Sequence, residues 1–267
     1  MPYEPGAKFK RLFWDVETSP NVMFSWRAGY KINLDVQNII HERAIICICW
    51  KWEGKKRVWS LKWDDGDDRE MIERFSSIIQ EADELVAHNG DKFDMKWYNG
   101  RHLLHGLDPV PISKTVDTLK IARKRFYLNS NRLDYLAKKL FGEGKIHTSF
   151  DLWRNCIEIT QPDPDIRAHN VGKMVRYCKK DVVLLERVHE RLRSYEEPSV
   201  HAAVAASGNP MHRWMCPHCG SSNVVTTKTR TTAKGMVQHQ MKCWQCNRYY
   251  SIAHNVHNWY LAAKEGA

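Results

Sequence analysis

The sequence lacks any long apolar stretch: the longest uninterrupted apolar run among its 267 residues is the seven-residue segment 44–50. A helix that crosses a bilayer needs about 20 consecutive apolar residues, so we expect no membrane-spanning segment and no membrane partner. The N-terminal residues MPYEPGAKFKR also lack the apolar core of a secretory signal. We therefore expect an intracellular, cytoplasmic protein.

Acidic side chains are in deficit, because 31 Asp and Glu stand against 41 Lys and Arg, a formal net charge of +10. This excess favours a polyanionic partner, although a merely basic soluble enzyme has the same balance. The excess is uneven, since residues 211–267 contain seven Lys and Arg but one Glu, a net +6. With 27% charged and 43% hydrophobic residues, the chain has the composition of a folded protein with one or two domains.

Hydrophobic periodicity predicts a mixed α/β domain. Predicted strands occupy residues 9–17, 44–52, 57–63, 85–87 and 116–118, and predicted helices occupy residues 68–82, 93–104, 131–141 and 165–195. Residues 198–210 (PSVHAAVAASGNP) are small and nearly uncharged, and we interpret them as a linker. The linker would join a domain of residues 1–197 to a module of residues 211–267.

The eight cysteines are of two kinds, and neither suggests disulfides in a chain without a secretory signal. Four lie scattered in apolar or helical surroundings and are interpreted as small buried residues: Cys47, Cys49, Cys156 and Cys178. The other four form two C-x-x-C pairs separated by 23 residues: Cys216 with Cys219, and Cys243 with Cys246.

The segment between the two pairs alternates like two strands around Lys234-Gly235. Two such pairs on a small antiparallel sheet resemble a zinc ribbon, in which four thiolates hold one structural Zn²⁺. A redox site would need a single C-x-x-C beside a βαβ unit, and that context is missing. A module this polar has little core of its own, so the metal would supply much of its folding free energy.

Asp15 and Glu17 lie two residues apart on the first predicted strand, so both carboxylates point to the same face. Neighbouring carboxylates repel each other unless a cation lies between them. A solvent-facing strand edge is the simpler interpretation of such a pair. The flanking Phe13, Trp14 and Val16 are apolar, however, which is unusual for a polar surface strand.

Two further segments place carboxylates where they could meet this pair. Asp94 follows a short predicted strand and an HNG turn, and it either joins the first pair or simply caps the next helix. Tyr177 and Asp181, four residues apart on the predicted long helix, share a face that borders its apolar side. Four carboxylates in three segments are what two divalent cations about 4 Å apart require to cleave phosphodiesters.

The ordered set FWDVET, VAHNGDKFD and YCKKDV resembles the three motifs of the DEDD superfamily, the ribonuclease-H-like 3′–5′ exonucleases. A tyrosine four residues before the last Asp is typical of the tyrosine subclass, whereas the histidine subclass has His at the position of Arg176. Residues 115–145 also resemble the corresponding segment of family-B polymerase proofreading domains. The resemblance covers residues 9–195.

The resemblance implies an α/β fold in which a mixed five-stranded sheet is flanked by helices. It implies that two Mg²⁺ or Mn²⁺ are held by four ligands, with Tyr177 orienting the attacking water: Asp15, Glu17, Asp94 and Asp181. The implied activity is 3′–5′ exonuclease cleavage to nucleoside monophosphates, with DNA the favoured substrate and a separate polymerase or replication protein a possible partner. The alternatives are RNA 3′-end trimming, a catalytically idle nucleic-acid-binding adaptor, and an endonuclease, which the Tyr177–Asp181 pairing disfavours.

Candidate substrate contacts lie in both parts of the chain. Thr18 and Asn89 lie beside the motifs, at positions that in the family touch the terminal nucleotide. Trp26, within residues 19–43, could stack unpaired bases, or this segment could be an extra packing layer over the sheet. On the ribbon, four basic residues near Trp244 could bind phosphates, unless they are simply solvated around a protein-docking site: Lys228, Arg230, Lys242 and Arg248.

Overall fold

The computed structural model describes residues 9–29, 32, 34–112, 114–196 and 198–265. The chain divides into two compact units, one of Arg11–Leu192 and one of Met1–Lys10 with Arg193–Ala267. The predicted domain boundary at residue 197 lies outside the described residues. Within the part of the chain that is described, no helix has the length and apolar character needed to span a bilayer.

The first unit contains seven strands and six α-helices among its described residues. The strands are β1 (Arg11–Thr18), β2 (Val22–Met23), β3 (Ile39–His41), β4 (Ile45–Trp52), β5 (Trp59–Lys62), β6 (Glu84–Ala87) and β7 (Lys114–Asp117). The helices are α1 (Arg69–Gln80), α2 (Asp94–Leu104), α3 (Thr118–Arg125), α4 (Leu133–Phe141), α5 (Asp151–Arg154) and α6 (Pro164–Leu192).

Five of the strands form one sheet in the order β5-β4-β1-β6-β7. β1 pairs antiparallel with β4 and parallel with β6, while β4 and β5 are antiparallel and β6 and β7 are parallel. The predicted mixed five-stranded sheet with flanking helices is therefore confirmed. The remaining two strands, β2 and β3, pair separately within residues 19–43.

Alternation along β1 sends successive side chains to opposite faces of the sheet. Trp14 is 1% exposed and stacks on Phe75 of α1, with ring centres 5.4 Å apart. It also meets Tyr98 of α2 edge to face, with ring centres 6.4 Å apart. Phe13 faces the other way and packs on His189 of α6, at 5.3 Å between ring centres. The odd-numbered residues of β1, including Asp15, therefore lie on the α6 face.

α6 is the predicted long helix and covers that face. It begins at Pro164, whose fixed backbone suits the first helical turn, and Asp163 accepts a hydrogen bond from the Asp165 amide at 2.9 Å. Its buried positions recur at helical spacing and pack against β1 and β4: Val171, Met174, Cys178, Val182, Leu185, Val188 and Leu192. Tyr177 and Asp181 lie beside this apolar stripe.

The second unit has a three-stranded antiparallel sheet followed by a helix. Its elements are α7 (Ala202–Ser207), β8 (Val224–Thr231), β9 (Val237–Cys243), β10 (Tyr249–Ala253) and α8 (His254–Glu265), and the sheet order is β10-β9-β8. The predicted pair of strands around Lys234-Gly235 is confirmed as β8 and β9. Gly235 has φ +76°, a value that favours glycine at this turn.

The segment expected to be a linker contains α7, which packs within the second unit. The Ala202 amide donates to the Pro217 carbonyl at 2.9 Å, and Ala202 and Ala203 are buried. Gly220, at φ +75°, lies against this helix, and a Cβ there would be 3.5 Å from the Ala203 nitrogen. α7 therefore braces the first cysteine turn, and the division into a domain, a linker and a module stays a prediction.

Candidate active site

Three carboxylates meet where β1 faces α6. One carboxylate oxygen from each of three residues lies within 4.8 Å of the other two: Asp15, Glu17 and Asp181. Asp15 and Glu17 are half-buried, and Asp181 is fully buried. The alternation of β1 and the helical position of Asp181 thus bring together three of the four predicted metal ligands.

The fourth predicted ligand, Asp94, is the first residue of α2 and is 1% exposed. Its Oδ1 accepts a hydrogen bond from the Val16 amide at 3.0 Å, so it is anchored to β1 between Asp15 and Glu17. The turn before it requires glycine, because a Cβ on Gly90 would lie 2.4 Å from the Ala87 Cβ. The close approach of this turn to β6 positions Asp94 beside the pair on β1.

Burial gives these carboxylates unusual proton affinities. Burial and the charge of Asp181 raise the pKa of Glu17 to about 8, and burial raises the pKa of Asp94 to about 7. Burial also raises the pKa of Asp181 to about 6 against the opposing charge of Lys145, and burial with the charge of Asp94 raises the pKa of Asp15. Such a cluster can hold its full negative charge at neutral pH only when cations are bound.

Lys145 is a site residue that sequence reasoning missed. Its Nζ forms an ion pair with Asp181 Oδ2 and lies 5.4 Å from the centre of the Tyr177 ring. Although burial opposes ionisation, the charges of Asp181 and Asp15 raise the pKa of Lys145, so the ammonium stays charged. The other oxygen of Asp181, Oδ1, is buried and has no hydrogen-bond partner among the residues that the structure describes. An unpartnered buried carboxylate oxygen fits a metal ligand.

Tyr177 is held beside Glu17 by Trp153 of the short helix α5. The two rings meet edge to face, with centres 5.8 Å apart, and the Trp153 side chain also hydrogen-bonds Glu17. Burial and the charge of Asp181 raise the pKa of Tyr177 to about 12. The phenol therefore keeps its proton at neutral pH and can donate a hydrogen bond into the site.

Comparison with known proteins agrees with this geometry. Residues 63–160 match the model of the exonuclease family RNase_T. This segment of the chain is therefore similar to that exonuclease family. The matched residues include Asp94 and Lys145, whereas β1 and α6 contribute the remaining carboxylates.

The fold of the chain is also similar to that of a solved structure. The family B DNA polymerase from the hyperthermophilic archaeon Pyrobaculum calidifontis matches with a TM-score of 0.53 and 16% sequence identity. The match covers 76% of this chain and 28% of the polymerase chain, and at this identity it concerns the fold. No curated protein matches the sequence.

Two cavities are lined by residues that contact the carboxylate group, one by Trp153 and the other by Lys145. The predicted contact Thr18 lines a cavity of about 400 Å³ together with aromatic side chains and one arginine: Arg43, Phe93, Trp97, Phe150 and Trp153. Arg43 lies over the Trp97 ring at 4.8 Å. These flat apolar surfaces suit a nucleobase. Only Thr18 of this set was predicted as a contact, because isolated aromatics carry no spacing signal.

The predicted contact Asn89 lines a second cavity, of about 570 Å³, which is basic. Arg123, Arg132 and Lys145 also line it. Asn89 has φ +69°, a strained value for a residue with a side chain. Trp26, by contrast, is fully exposed and lines neither cavity.

The four paired cysteines of the second unit converge as the zinc-ribbon pattern predicts. One sulfur from each lies within 4.8 Å of all the others, and Cys216–Cys246 and Cys219–Cys243 have sulfur distances of 3.6 and 3.7 Å. Tetrahedral Zn²⁺ with bonds of about 2.3 Å sets neighbouring sulfurs about 3.8 Å apart. The four thiols therefore fit a structural zinc ion.

The basic residues predicted on the ribbon are only partly exposed. Lys228 and Arg230 are exposed on β8, and Lys242 lies 4.2 Å from the Trp244 ring centre. Arg248 is only 6% exposed, so it does not belong to the exposed basic surface of the ribbon. The basic residues that remain at the ribbon surface therefore still include a cation, Lys242, that lies over the face of an aromatic ring, Trp244.

We expect the thermal stability of the metal-free protein to fall as pH rises from about 5 to about 8. A carboxyl with a higher pKa in the folded state stabilises that state fully below its unfolded pKa, and this contribution is lost as pH rises through the folded pKa. The unfolded values of 3.8 and 4.5 and folded values of about 6 to about 8 set the window. A loss of about 2 kcal/mol would lower Tm by roughly 4–8 °C.

Calorimetry with a chelator and with Mg²⁺ checks this expectation. Mg²⁺ should raise Tm more at the upper end of the window than at the lower end, since it binds the ionised carboxylates. Glu17→Gln should reduce the pH dependence, and Asp151→Asn, at an exposed site, should leave it unchanged. An equal Mg²⁺ effect across the window would contradict the assignment.

Proposed function

We propose that this protein is a two-metal-dependent 3′–5′ exonuclease that hydrolyses nucleic-acid 3′ ends, with DNA favoured, and releases nucleoside monophosphates. The single observation that carries the proposal is the unpartnered, buried Oδ1 of Asp181 beside the carboxylates of Asp15 and Glu17. The similarity of residues 63–160 to an exonuclease family and the polymerase-like fold support the choice of reaction. The proposed protein is thus a hydrolase that acts on phosphodiesters.

The proposed metal ligands are Asp15, Glu17, Asp94 and Asp181. Divalent cations bound by them would supply an activated water and charge stabilisation for the leaving oxygen. Asp94 holds the β1 backbone at Val16, so it fixes the spacing of the β1 pair as well as adding charge. Carboxylate oxygens select hard cations, which favours Mg²⁺ or Mn²⁺.

The remaining side chains position the reacting groups. Tyr177 is protonated and is braced by Trp153. Its hydroxyl group donates a hydrogen bond to the attacking water and so orients it. Lys145 neutralises one oxygen of Asp181 and lines the basic cavity, where it can also meet a substrate phosphate. The aromatic cavity receives an unpaired base, so a single-stranded 3′ end is the proposed substrate.

End-labelled DNA and RNA oligonucleotides, incubated side by side with Mg²⁺ or Mn²⁺, test the proposal. We expect a ladder that shortens from the 3′ end, faster on DNA, and no ladder on strands with a blocked 3′ hydroxyl. Faster digestion of RNA would reassign the substrate, and internal cuts would indicate an endonuclease. Binding without cleavage would leave a nucleic-acid-binding adaptor.

Tyr177→Phe is expected to slow cleavage by roughly ten- to a thousandfold, the scale of one positioning group. The loss should be milder than that of a metal ligand, because the phenol orients water and binds no metal. Single-turnover rates with saturating oligonucleotide measure it, and Tyr135→Phe, on α4, is the matched control. An unchanged rate would remove Tyr177 from the mechanism.

We further propose that the exposed basic residues of the ribbon bind the nucleic-acid backbone away from the catalytic centre. Replacing Lys228 and Arg230 with Ser should weaken binding of long single strands and make its salt dependence shallower. Two lost phosphate contacts should reduce the slope of log K against log salt by about 1.4. Turnover on saturating short oligonucleotides should not change.

The matched control for the ribbon is Lys264→Ser on α8, which removes an exposed charge outside the β8 surface. Filter binding across a salt series gives the slopes of the three proteins. An unchanged slope in the Lys228/Arg230 variant would favour docking of a protein partner, such as a separate polymerase or replication protein, on this surface.

A further inference from the structure

Three cysteines that the sequence presents as unrelated meet behind the carboxylates. Cys47 and Cys49 are on β4, where they pair across the strands with Glu17 and Asp15 of β1. Cys178 reaches them from α6, and all three side chains are 0% exposed. One sulfur from each lies within 4.8 Å of the other two. Three thiols therefore form one cluster, next to the carboxylate group.

Hydrogen bonds connect this thiol cluster to a proposed catalytic ligand. The Cys178 thiol lies 3.4 Å from the Asp15 carbonyl oxygen and 3.5 Å from Asp15 Oδ2. The Cys49 thiol points to the Val175 carbonyl at 3.7 Å. The cluster thus combines three soft sulfur atoms with one carboxylate oxygen at its edge.

The distance between Cys178 and Asp15 fits tetrahedral coordination of one cation by both side chains. A cation about 2.3 Å from sulfur and about 2.1 Å from oxygen sets a sulfur and an oxygen about 3.6 Å apart. The observed separation of Cys178 Sγ and Asp15 Oδ2 is 3.5 Å. Thiolates select Zn²⁺ and other soft cations, whereas the neighbouring carboxylates select hard ones. A soft cation would therefore bind the thiols, and a hard cation would bind the adjacent carboxylates.

We propose that Cys47, Cys49 and Cys178 bind a thiophilic divalent cation such as Cd²⁺ or Zn²⁺, with Asp15 as the adjoining oxygen ligand. Binding forms three metal–sulfur bonds and releases the three thiol protons to solvent. When the thiol cluster binds this cation, the Asp15 carboxylate turns away from the proposed Mg²⁺ or Mn²⁺ site, and cleavage is inhibited. This consequence rests on the proposed nuclease function. Because the thiols are buried, the cation enters during local opening.

Cd²⁺ titration of the reduced, chelator-stripped full chain tests the site without reference to activity. Thiolate-to-cadmium charge-transfer absorbance should show two bound Cd²⁺ per chain, one in the ribbon and one in the thiol cluster. Cys49→Ala should retain one, whereas Cys156→Ala, a matched buried thiol outside the cluster, should retain two. One Cd²⁺ in the wild type, or two in Cys49→Ala, would overturn the site.

Cadmium NMR of the wild type provides a measurement that does not depend on the variants folding. Two resonances, one from a four-sulfur and one from a three-sulfur environment, support the site. A single four-sulfur resonance overturns it.

A cleavage assay in excess Mg²⁺ tests the coupling to Asp15, with each protein compared with its own uninhibited rate. Cd²⁺ should inhibit the wild type and Cys156→Ala at the same concentration. Cys49→Ala should require a Cd²⁺ concentration at least about tenfold higher for the same fractional inhibition. Two bound Cd²⁺ with undiminished cleavage would refute the coupling. Two bound Cd²⁺ in a protein that never cleaves would refute the nuclease and leave the site standing.

Discussion

Asp181→Asn is expected to reduce nucleic-acid cleavage by about a thousandfold or more, the scale of losing a central electrostatic group. The side chain is fully buried and pairs with Lys145 through one oxygen, while the other oxygen has no partner in the described part of the chain. Asn keeps the shape of the side chain but loses the charge that a divalent cation needs. The fold should survive, since the apolar stripe of α6 is untouched.

The rate on end-labelled oligonucleotides, with circular dichroism to verify folding, measures this loss. Asp151→Asn provides the matched control, because Asp151 begins α5 near the site but has an exposed carboxylate paired with Arg154. That variant should cleave at the wild-type rate. Cleavage by Asp181→Asn within about tenfold of wild type would exclude Asp181 as a ligand of an essential metal.

Cys243→Ala is expected to release the ribbon zinc and unfold the second unit, with little effect on the first. The buried apolar core around the cysteines is small: Trp214, Cys216, Val224, Met241, Cys243, Ile252 and Val256. Structural zinc contributes about 10–16 kcal/mol of apparent binding free energy in comparable modules. Without it, this core cannot offset the conformational entropy of ordering the chain.

Zinc content and hydrogen exchange measure this effect. Protection should vanish in β8, β9 and β10 and persist in β1, β4 and α6. Cys156→Ala, which removes a buried thiol from the first unit, should keep both zinc and ribbon protection. Retained zinc in Cys243→Ala would show that the four cysteines are not one metal site.

Local periodicity determined much of what could be predicted. Asp15 and Glu17 share a face because strand geometry repeats every two residues, and Tyr177 and Asp181 share one because the helix brings positions four apart together. Those rules act within an element, so the sequence shows them directly. The meeting of β1 with α6 came from the resemblance to a family, and the structure brings the side chains together as expected.

Contacts between distant irregular segments could not be predicted in this way. Lys145 follows α4 and meets Asp181 36 residues later, and Trp153 reaches Glu17 from the short helix α5. Neither has a repeating pattern around it. The thiol cluster was not predicted for a similar reason. In the sequence, Cys47 and Cys178 each look like a small buried residue, and only the packing of β4 against α6 brings them together.

The alanine-rich segment before the ribbon shows a different limit of sequence reasoning. Small, uncharged residues suggested a linker, but alanine is also the strongest helix former, and residues 202–207 form α7. Packing against the first cysteine turn decides between the two outcomes. Composition alone cannot report that packing partner.

The alternation of β1 makes the length of this strand more important than most of its individual side chains. Trp14 and Val16 face α1 and α2, while Phe13, Asp15 and Glu17 face α6. Inserting or deleting one residue before Asp15 would turn both carboxylates into the aromatic layer and both apolar residues toward the acids. A one-residue shift of β1 would therefore disrupt both the packing of the core and the carboxylate site. Laboratory evolution of this protein should accept substitutions in β1 but reject insertions and deletions there.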